Sequence, residues 1–297
     1  MPPKRFEYEI PLIQSSTSSK ILIPVTMKDS TYLFLWDTGS ETSMILKNQA
    51  KLRNIPIEML AKKGTDTVTH VREILFVDTE VAAMDYAKIG SFQIPPHEIR
   101  INQFSKLKDR HKPEIVGLIG QDIISTLHWK FDFQKKIIKI SNLEFPEEKS
   151  EEKSFILPIV NVVKNSKIPF FKLKFGKEME DDFLFDTGMA DGIIINSIDT
   201  FSVNPALVIN KNKNNFEFIS KRTIDLQDQS KKKIHKKFKT LDTLIINNHV
   251  FKDFVISEEH LMDFNFCTFR FVEMFSKMYY NPEEKRVTFV PKQAAYK

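Results

Sequence analysis

The stretch "LFLWDTGSE", residues 33–41, runs apolar, strand-forming side chains straight into an acid. Asp37 is followed by Thr38, Gly39 and Ser40, as if the chain turned sharply at the strand's end. A carboxylate there is costly unless another group stabilises it or shares its proton. The question is where in the chain such a partner stands.

The sequence answers with a repeat. "FLFDTGMADGIII" (183–195) echoes "LFLWDTGSETSMI" (33–45), so Asp186 follows Asp37 at a distance of 149 residues. The lead into each acid is also similar. "SKILIPVTMKDSTYLFLWDTG" and "SKIPFFKLKFGKEMEDDFLFDTG" each read as two strands around a polar turn. Downstream, "AKIGSFQIPPHEIRI" (87–101) matches "TLIINNHVFKDFVIS" (243–257), with hairpin turns at Gly90-Ser91 and Asn247-Asn248. The closing strands repeat as well, in "HWKFDFQKKIIKI" (128–140) and "SKMYYNPEEKRVTFV" (276–290).

Two units therefore organise the chain, an N-terminal lobe over 1–146 and a C-terminal lobe over 155–297. Between them the charged segment 147–154, within "EFPEEKSEEKS", reads as a linker. Many short strands with turn signals, and short helices at about 44–53 and 120–127, predict an all-β architecture in two lobes.

Composition is compatible with that picture. With 297 residues, 41% of them hydrophobic, the chain is long enough for a substantial core. Charge is evenly spread: 21 basic and 19 acidic residues up to residue 150, 23 and 20 beyond it. Neither half is a dedicated polyanion binder, so nucleic acid is not expected as the partner. The run "KKKIHKKFK" (231–239) is the one basic cluster, and its alternation with Ile234 and Phe238 fits an edge strand guarded by lysines. Cys267 is the single cysteine, which excludes an internal disulfide. The N-terminal run "MPPKRFEYEIPLIQ" contains no continuous apolar stretch and no small-residue cleavage site. A cytoplasmic location is the expectation, and no stretch has the length of a membrane span.

The two Asp-Thr-Gly turns carry the chemistry. Gly39 and Gly188 permit tight turns with close backbone approach, and Thr38 and Thr187 offer hydroxyls to hold them. If the lobes pack about a pseudo-twofold axis, the carboxylates meet, cannot both ionise readily, and hold one proton between them. Local alternatives remain for each acid, since aspartates also cap turn amides structurally. Asp122 reads as a cap for the helix "DIISTLH", Cys267 as a small buried hydrophobe, and the seven histidines show no metal-ligand spacing.

The motifs "DTGSETSMI", "DTGMADGII" and "VGLIGQDII" (116–124) resemble the aspartic peptidases, specifically the retropepsin-like and bacterial aspartyl-protease-like group. The resemblance implies two pseudo-symmetric β-barrel lobes with short helices, acting as a monomer. It implies a peptide or protein substrate in the cleft between them, no metal and no organic cofactor. Asp37 and Asp186 become the catalytic pair, supported by Thr38, Gly39, Ser40, Thr187 and Gly188. Gly120, in Leu118-Ile119-Gly120, backs the first turn. A flap hairpin is expected within 61–75, with Gly64 and Thr65 near its tip. The second half departs from the pattern: Met189 stands where the first has Ser40, and "NFC", ending at Cys267, aligns with Leu118-Ile119-Gly120. A catalytically weak or inactive peptide binder on the same fold is the alternative.

Overall fold

A computed structural model describes residues 5–14, 20–55, 58–70, 73–84, 87–102, 115–151, 154–164, 166–175, 179–189, 192–195, 208–209, 215–220, 234–247, 249–259 and 265–292. Most of these form β-strands, with a few short helices.

The leads into both acids are hairpins. Ile21–Met27 pairs antiparallel with Ser30–Trp36, turning at Lys28 with φ of 51°. Phe170–Phe175 likewise pairs with Met179–Asp186. β-branched and aromatic side chains make up more than half of the first hairpin's strands, and phenylalanines alternate into the second's, as a pleated and half-buried surface favours. The second lead sits one residue off the match suggested by "SKI". Ile21 lies opposite Trp36 by register, whereas the Phe185 N–H donates to the Pro169 carbonyl, so Lys20 corresponds to Ile168.

The closing hairpins interleave the two halves in one sheet. Its path runs Glu7–Pro11, Ile137–Ser141, His128–Asp132, Phe275–Asn281, Arg286–Pro291, Phe155–Val160. The first three strands come from the first copy of the repeat and the last three are their counterparts in reverse order. Their turns match in detail. The Asp132 carboxylate accepts the Lys135 N–H at 2.8 Å and the Asn281 amide oxygen accepts that of Glu284 at 3.0 Å. Lys136 and Lys285 follow at φ of 55° and 48°. At the seam Trp129 pairs with Tyr280, and Trp36, Trp129, Phe131 and Tyr280 pack ring against ring. Burying each such side chain stabilises the fold by roughly 1.5–3 kcal/mol. On the other side of the seam Phe155, Phe271, Phe275 and Phe289 form a matching aromatic cluster.

Away from the seam the halves differ. A pairing of Phe175 with Ile246 curls the C-terminal sheet back on itself. The N-terminal sheet follows an open path from Glu58–His70 to Phe92–Gln93. The hairpin turn expected at Gly90-Ser91 is present, with Gly90 at φ of 59°, and the second places Asn247 at 46°.

The described part of the segment between the copies is built into the fold. Residues Pro146–Ser150 form a 3-10 helix whose Glu148 is buried and accepts from Arg286 Nε at 2.8 Å and the Thr288 hydroxyl at 2.7 Å. Glu147 pairs with Lys130 at 2.7 Å, and Glu151 meets Lys277 and the Tyr279 hydroxyl. Charge that reads as solvated in sequence is thus pinned across the shared sheet.

Three local expectations change. Met44–Leu46 is a strand, paired with Arg100–Asn102, and the helix spans only Lys47–Leu52. The second helix is Gln121–Ile124. The lysine-rich strand is not a sheet edge: Ile234–Ile246 is paired on one side with Asn215–Ser220 and on the other with His249–Glu259. Its register sets Lys237 opposite Glu217 and Glu258, and Lys236 opposite Glu259. Residues 231–233 of that run lie outside the described residues.

Candidate active site

Asp37 and Asp186 both stand at strand ends that abut a parallel neighbour. Ile115–Ile119 runs beside Ser30–Trp36, and the Asp37 N–H donates to the Ile119 carbonyl at 3.0 Å. Asn265–Thr268 runs beside Met179–Asp186 in the same way. Beyond the strands the two turns meet through their threonines. The Thr187 hydroxyl accepts the Thr38 N–H at 3.1 Å and donates to the Trp36 carbonyl at 2.8 Å. The Thr38 hydroxyl accepts the Thr187 N–H at 3.1 Å and donates to the Phe185 carbonyl at 2.6 Å.

This exchange sets each glycine against the opposite acid. A Cβ on Gly39 would lie 2.5 Å from the Asp186 carboxyl carbon or closer to nothing else, and one on Gly188 would lie 2.5 Å from an Asp37 carboxylate oxygen. A side chain at either place would have to push the opposite carboxylate aside. Each carboxylate also accepts its own turn's N–H: Asp37 from Gly39 at 3.0 Å, Asp186 from Gly188 at 2.8 Å and from Met189 at 3.2 Å.

The electrostatics follow from this crowding. Each aspartate keeps a partly exposed face, while protein packs densely around the rest. Burial raises the Asp37 carboxyl above its ordinary range, against N–H donors and a hydrogen bond with Asp186 that pull it down. Asp186 is pushed well above that range, by burial first and by the negative charge of Asp37 second. The two titrate as one coupled system able to retain a proton where isolated aspartates would be bare.

The supports behind the turns correspond, with one exchange. Gln121 N–H donates to the Ser40 carbonyl at 2.8 Å, and Phe269 N–H donates to that of Met189 at 3.0 Å. The residues before these helices, Gly120 and Thr268, are therefore counterparts, and Cys267 corresponds to Ile119 rather than to the glycine. Gly120 has no room for a side chain, since a Cβ would meet the Thr42 backbone at 2.6 Å. Its N–H donates to the Ser43 hydroxyl at 3.0 Å. In the second half the hydroxyl has changed strands: Gly192 occupies the Ser43 position and its N–H donates to the Thr268 hydroxyl at 2.7 Å. Met189 fulfils its part in the turn through its backbone alone. Cys267 is fully buried, and burial pushes its thiol well up, which leaves it inert packing.

Sequence reasoning missed several contributors. Asp122 stands inside its helix, whose N-cap is Gly120, rather than capping it; its carboxylate accepts the Ile123 N–H at 3.0 Å, the Ser43 N–H at 2.8 Å and the Ser43 hydroxyl at 2.6 Å, bracing the first turn. Buried Gln121 donates to the Thr38 carbonyl at 3.0 Å and accepts the Tyr280 hydroxyl at 3.1 Å, tying the turn to the shared sheet. Glu41 reaches the other half, accepting the Ser166 hydroxyl at 2.7 Å and the Lys167 N–H at 2.9 Å. An acid just after the first turn and the polar pair Gln121-Asp122 directly after Gly120 were the available signals.

Gly64 and Thr65 are not at a hairpin tip. They lie along the arm Glu58–His70, opposite Thr79 and Asp78, and pairing continues out to His70 and Glu73. Among the described residues no group of three or more His, Cys, Asp or Glu side chains could hold a metal ion. His128 is buried against Glu283, and burial lowers its imidazole below the ordinary value. Among the described residues no helix is long and apolar enough to cross a membrane.

No protein-family model matches this chain. Nor does any curated protein.

Proposed function

We propose that the protein is an aspartic endopeptidase of retropepsin-like type, with two lobes in one chain and Asp37 and Asp186 as its catalytic dyad. The observation that carries this reading is the reciprocal fit of the two turns, each glycine seated against the opposite carboxylate and each threonine bonded to the other's backbone. That arrangement is expensive to build for two structural turn caps. It is what a proton-sharing pair requires.

In the proposed reaction a water lies between the carboxyls, which carry one proton and one negative charge in total. The ionised carboxylate takes a proton from the water as its oxygen attacks the peptide carbonyl carbon. The protonated carboxyl hydrogen-bonds to the carbonyl oxygen and transfers its proton as that oxygen becomes a hydroxyl. Collapse of the tetrahedral species breaks the C–N bond, the leaving nitrogen gains a proton, and the dyad returns to its starting charge. Every proton that moves passes among the carboxyls, water and substrate.

The long hairpin Glu58–His70 with Glu73–Met84 is the proposed flap over the cleft, and Asn215–Ser220 with Ile234–Ile246 is its counterpart in the second half. The features that favour a non-cleaving peptide binder, Met189 and Cys267, leave the hydrogen bonds of the second turn in place. The test is a peptide-library digest across pH, run beside Asp37→Asn and Asp186→Asn. Cleavage by the wild type and its loss in both folded variants is expected; equal cleavage by either variant would refute the dyad.

A further inference from the structure

A lysine stands beside this dyad on one side only. The antiparallel register sets Leu22 opposite Leu35 and continues to place Lys20 opposite Asp37. Side chains alternate along strands, so Lys20 shares a face with Leu22, and Asp37 with Leu35. Leu22 and Leu35 pack together with Leu118 on that face, and Lys20 and Asp37 follow them at the same end of the ladder. At the corresponding place in the second half, opposite Asp186, stands Ile168. The repeat has thus kept both acids and a single cation.

We propose that Lys20 is a positioning residue of the dyad, whose ammonium holds Asp37 and Asp186 together in the singly ionised state. Burial favours the uncharged, fully protonated pair, which has no base to activate water; mutual repulsion opposes only the loss of the second proton. A nearby positive charge opposes full protonation, and the charge of Lys20 pulls the proton affinity of both carboxyls down. Lys20 is half-buried. Among the described residues the charged groups facing it are Asp37 across the ladder and Asp186 beyond. On its other side runs Ile13–Gln14, paired with Leu22 and Ile21, which carries no charge.

The inference rests on the dyad reading, and a direct titration separates the two. Carboxyl carbons are labelled in the aspartates of the wild type, Lys20→Met, Lys20→Gln and Lys20→Arg. The Asp37 and Asp186 resonances, assigned through the Asn variants, are followed by NMR across pH, with a cooperative melt establishing that each protein is folded. Both titration steps should move upward in Lys20→Met and Lys20→Gln and stay in place in Lys20→Arg. The acid limb of kcat/KM for peptide cleavage should move upward with them. Titration steps unmoved in the folded neutral variants would overturn the role of Lys20, whatever the peptide assay shows. Steps that move in a protein that cleaves no peptide would uphold Lys20 and refute the peptidase reading instead.

Discussion

Thr38 and Thr187 hold each other's backbone across the junction of the two halves, each hydroxyl accepting the other's N–H at 3.1 Å. Both hydroxyls also donate into the opposite half, so each half's turn is completed by the other. Both residues are fully buried, and removal of either hydroxyl strands an N–H and a carbonyl away from water.

Thr38→Val and Thr187→Val should therefore each destabilise the protein by roughly 1–3 kcal/mol, the cost of unsatisfied buried polar groups. The double variant should cost less than the sum, because the pair shares one network. Urea unfolding of the three variants measures both effects, and Thr→Ser at either position should stay near wild type. A strictly additive double variant would show that the threonines act separately.

The dyad predicts a stability that depends on pH with a definite sign. Both carboxyls are raised above their unfolded value, so the folded state binds protons more tightly. Their contribution is fully present below the ordinary aspartate range and is lost as pH rises through the folded values. An asparagine carries no such loss. Asp186→Asn should melt higher than wild type at neutral pH, Asp37→Asn should gain less, and both advantages should shrink as the pH falls towards the ordinary carboxylate range. Melting curves from acid to neutral pH give the answer, and an Asn variant less stable at neutral pH than in acid, relative to wild type, would contradict the raised carboxyls.

The hydroxyl that moved between Ser43 and Thr268 gives an asymmetric pair of substitutions. Gly120→Ala forces a methyl against the Thr42 backbone, where no flexible side chain can yield. Thr268→Ala loses one hydrogen bond to Gly192 and adds no atoms. Gly120→Ala should be the more damaging to both melting temperature and peptide cleavage. Thr268→Ala should cost roughly 1–3 kcal/mol, as a buried N–H left unpaired does.

That exchange also marks how far the sequence could be read. The two Asp-Thr-Gly turns, the hairpins around them and the closing strands are local patterns, written in alternation and turn residues, and the strands formed where they were expected. The one-residue offsets were not legible. "SKI" matched "SKI" by letter while the register aligned Lys20 with Ile168, and "NFC" matched "LIG" while the helix start aligned Thr268 with Gly120. A hydroxyl supplied from either of two neighbouring strands does the same work, so letter-by-letter comparison sees a loss where the fold sees a relocation. The lysine run failed for a related reason. Whether a strand is an edge depends on Asn215–Ser220, a distant segment whose own sequence does not announce its neighbour.

The segment between the repeats carries the last prediction. Glu148 is buried, and one of its carboxylate oxygens, Oε1, accepts from both Arg286 and Thr288 on the strand that joins the closing hairpin to Phe155–Val160. A buried charge of this kind is costly to introduce, and still more costly to half-remove. Glu148→Ala would leave the partly buried Arg286 with only its contact to the exposed Glu284 and the Thr288 hydroxyl with no acceptor. A loss of roughly 3–5 kcal/mol is expected from breaking a buried pair on one side. Glu148→Gln keeps an acceptor oxygen and should lose less. Both losses are read by denaturant unfolding of the full chain. Peptide cleavage at temperatures where each variant remains folded should be nearly unchanged, because Glu148 supports the shared sheet and touches neither aspartate. A segment acting only as a solvated linker would give Glu148→Ala the stability of wild type.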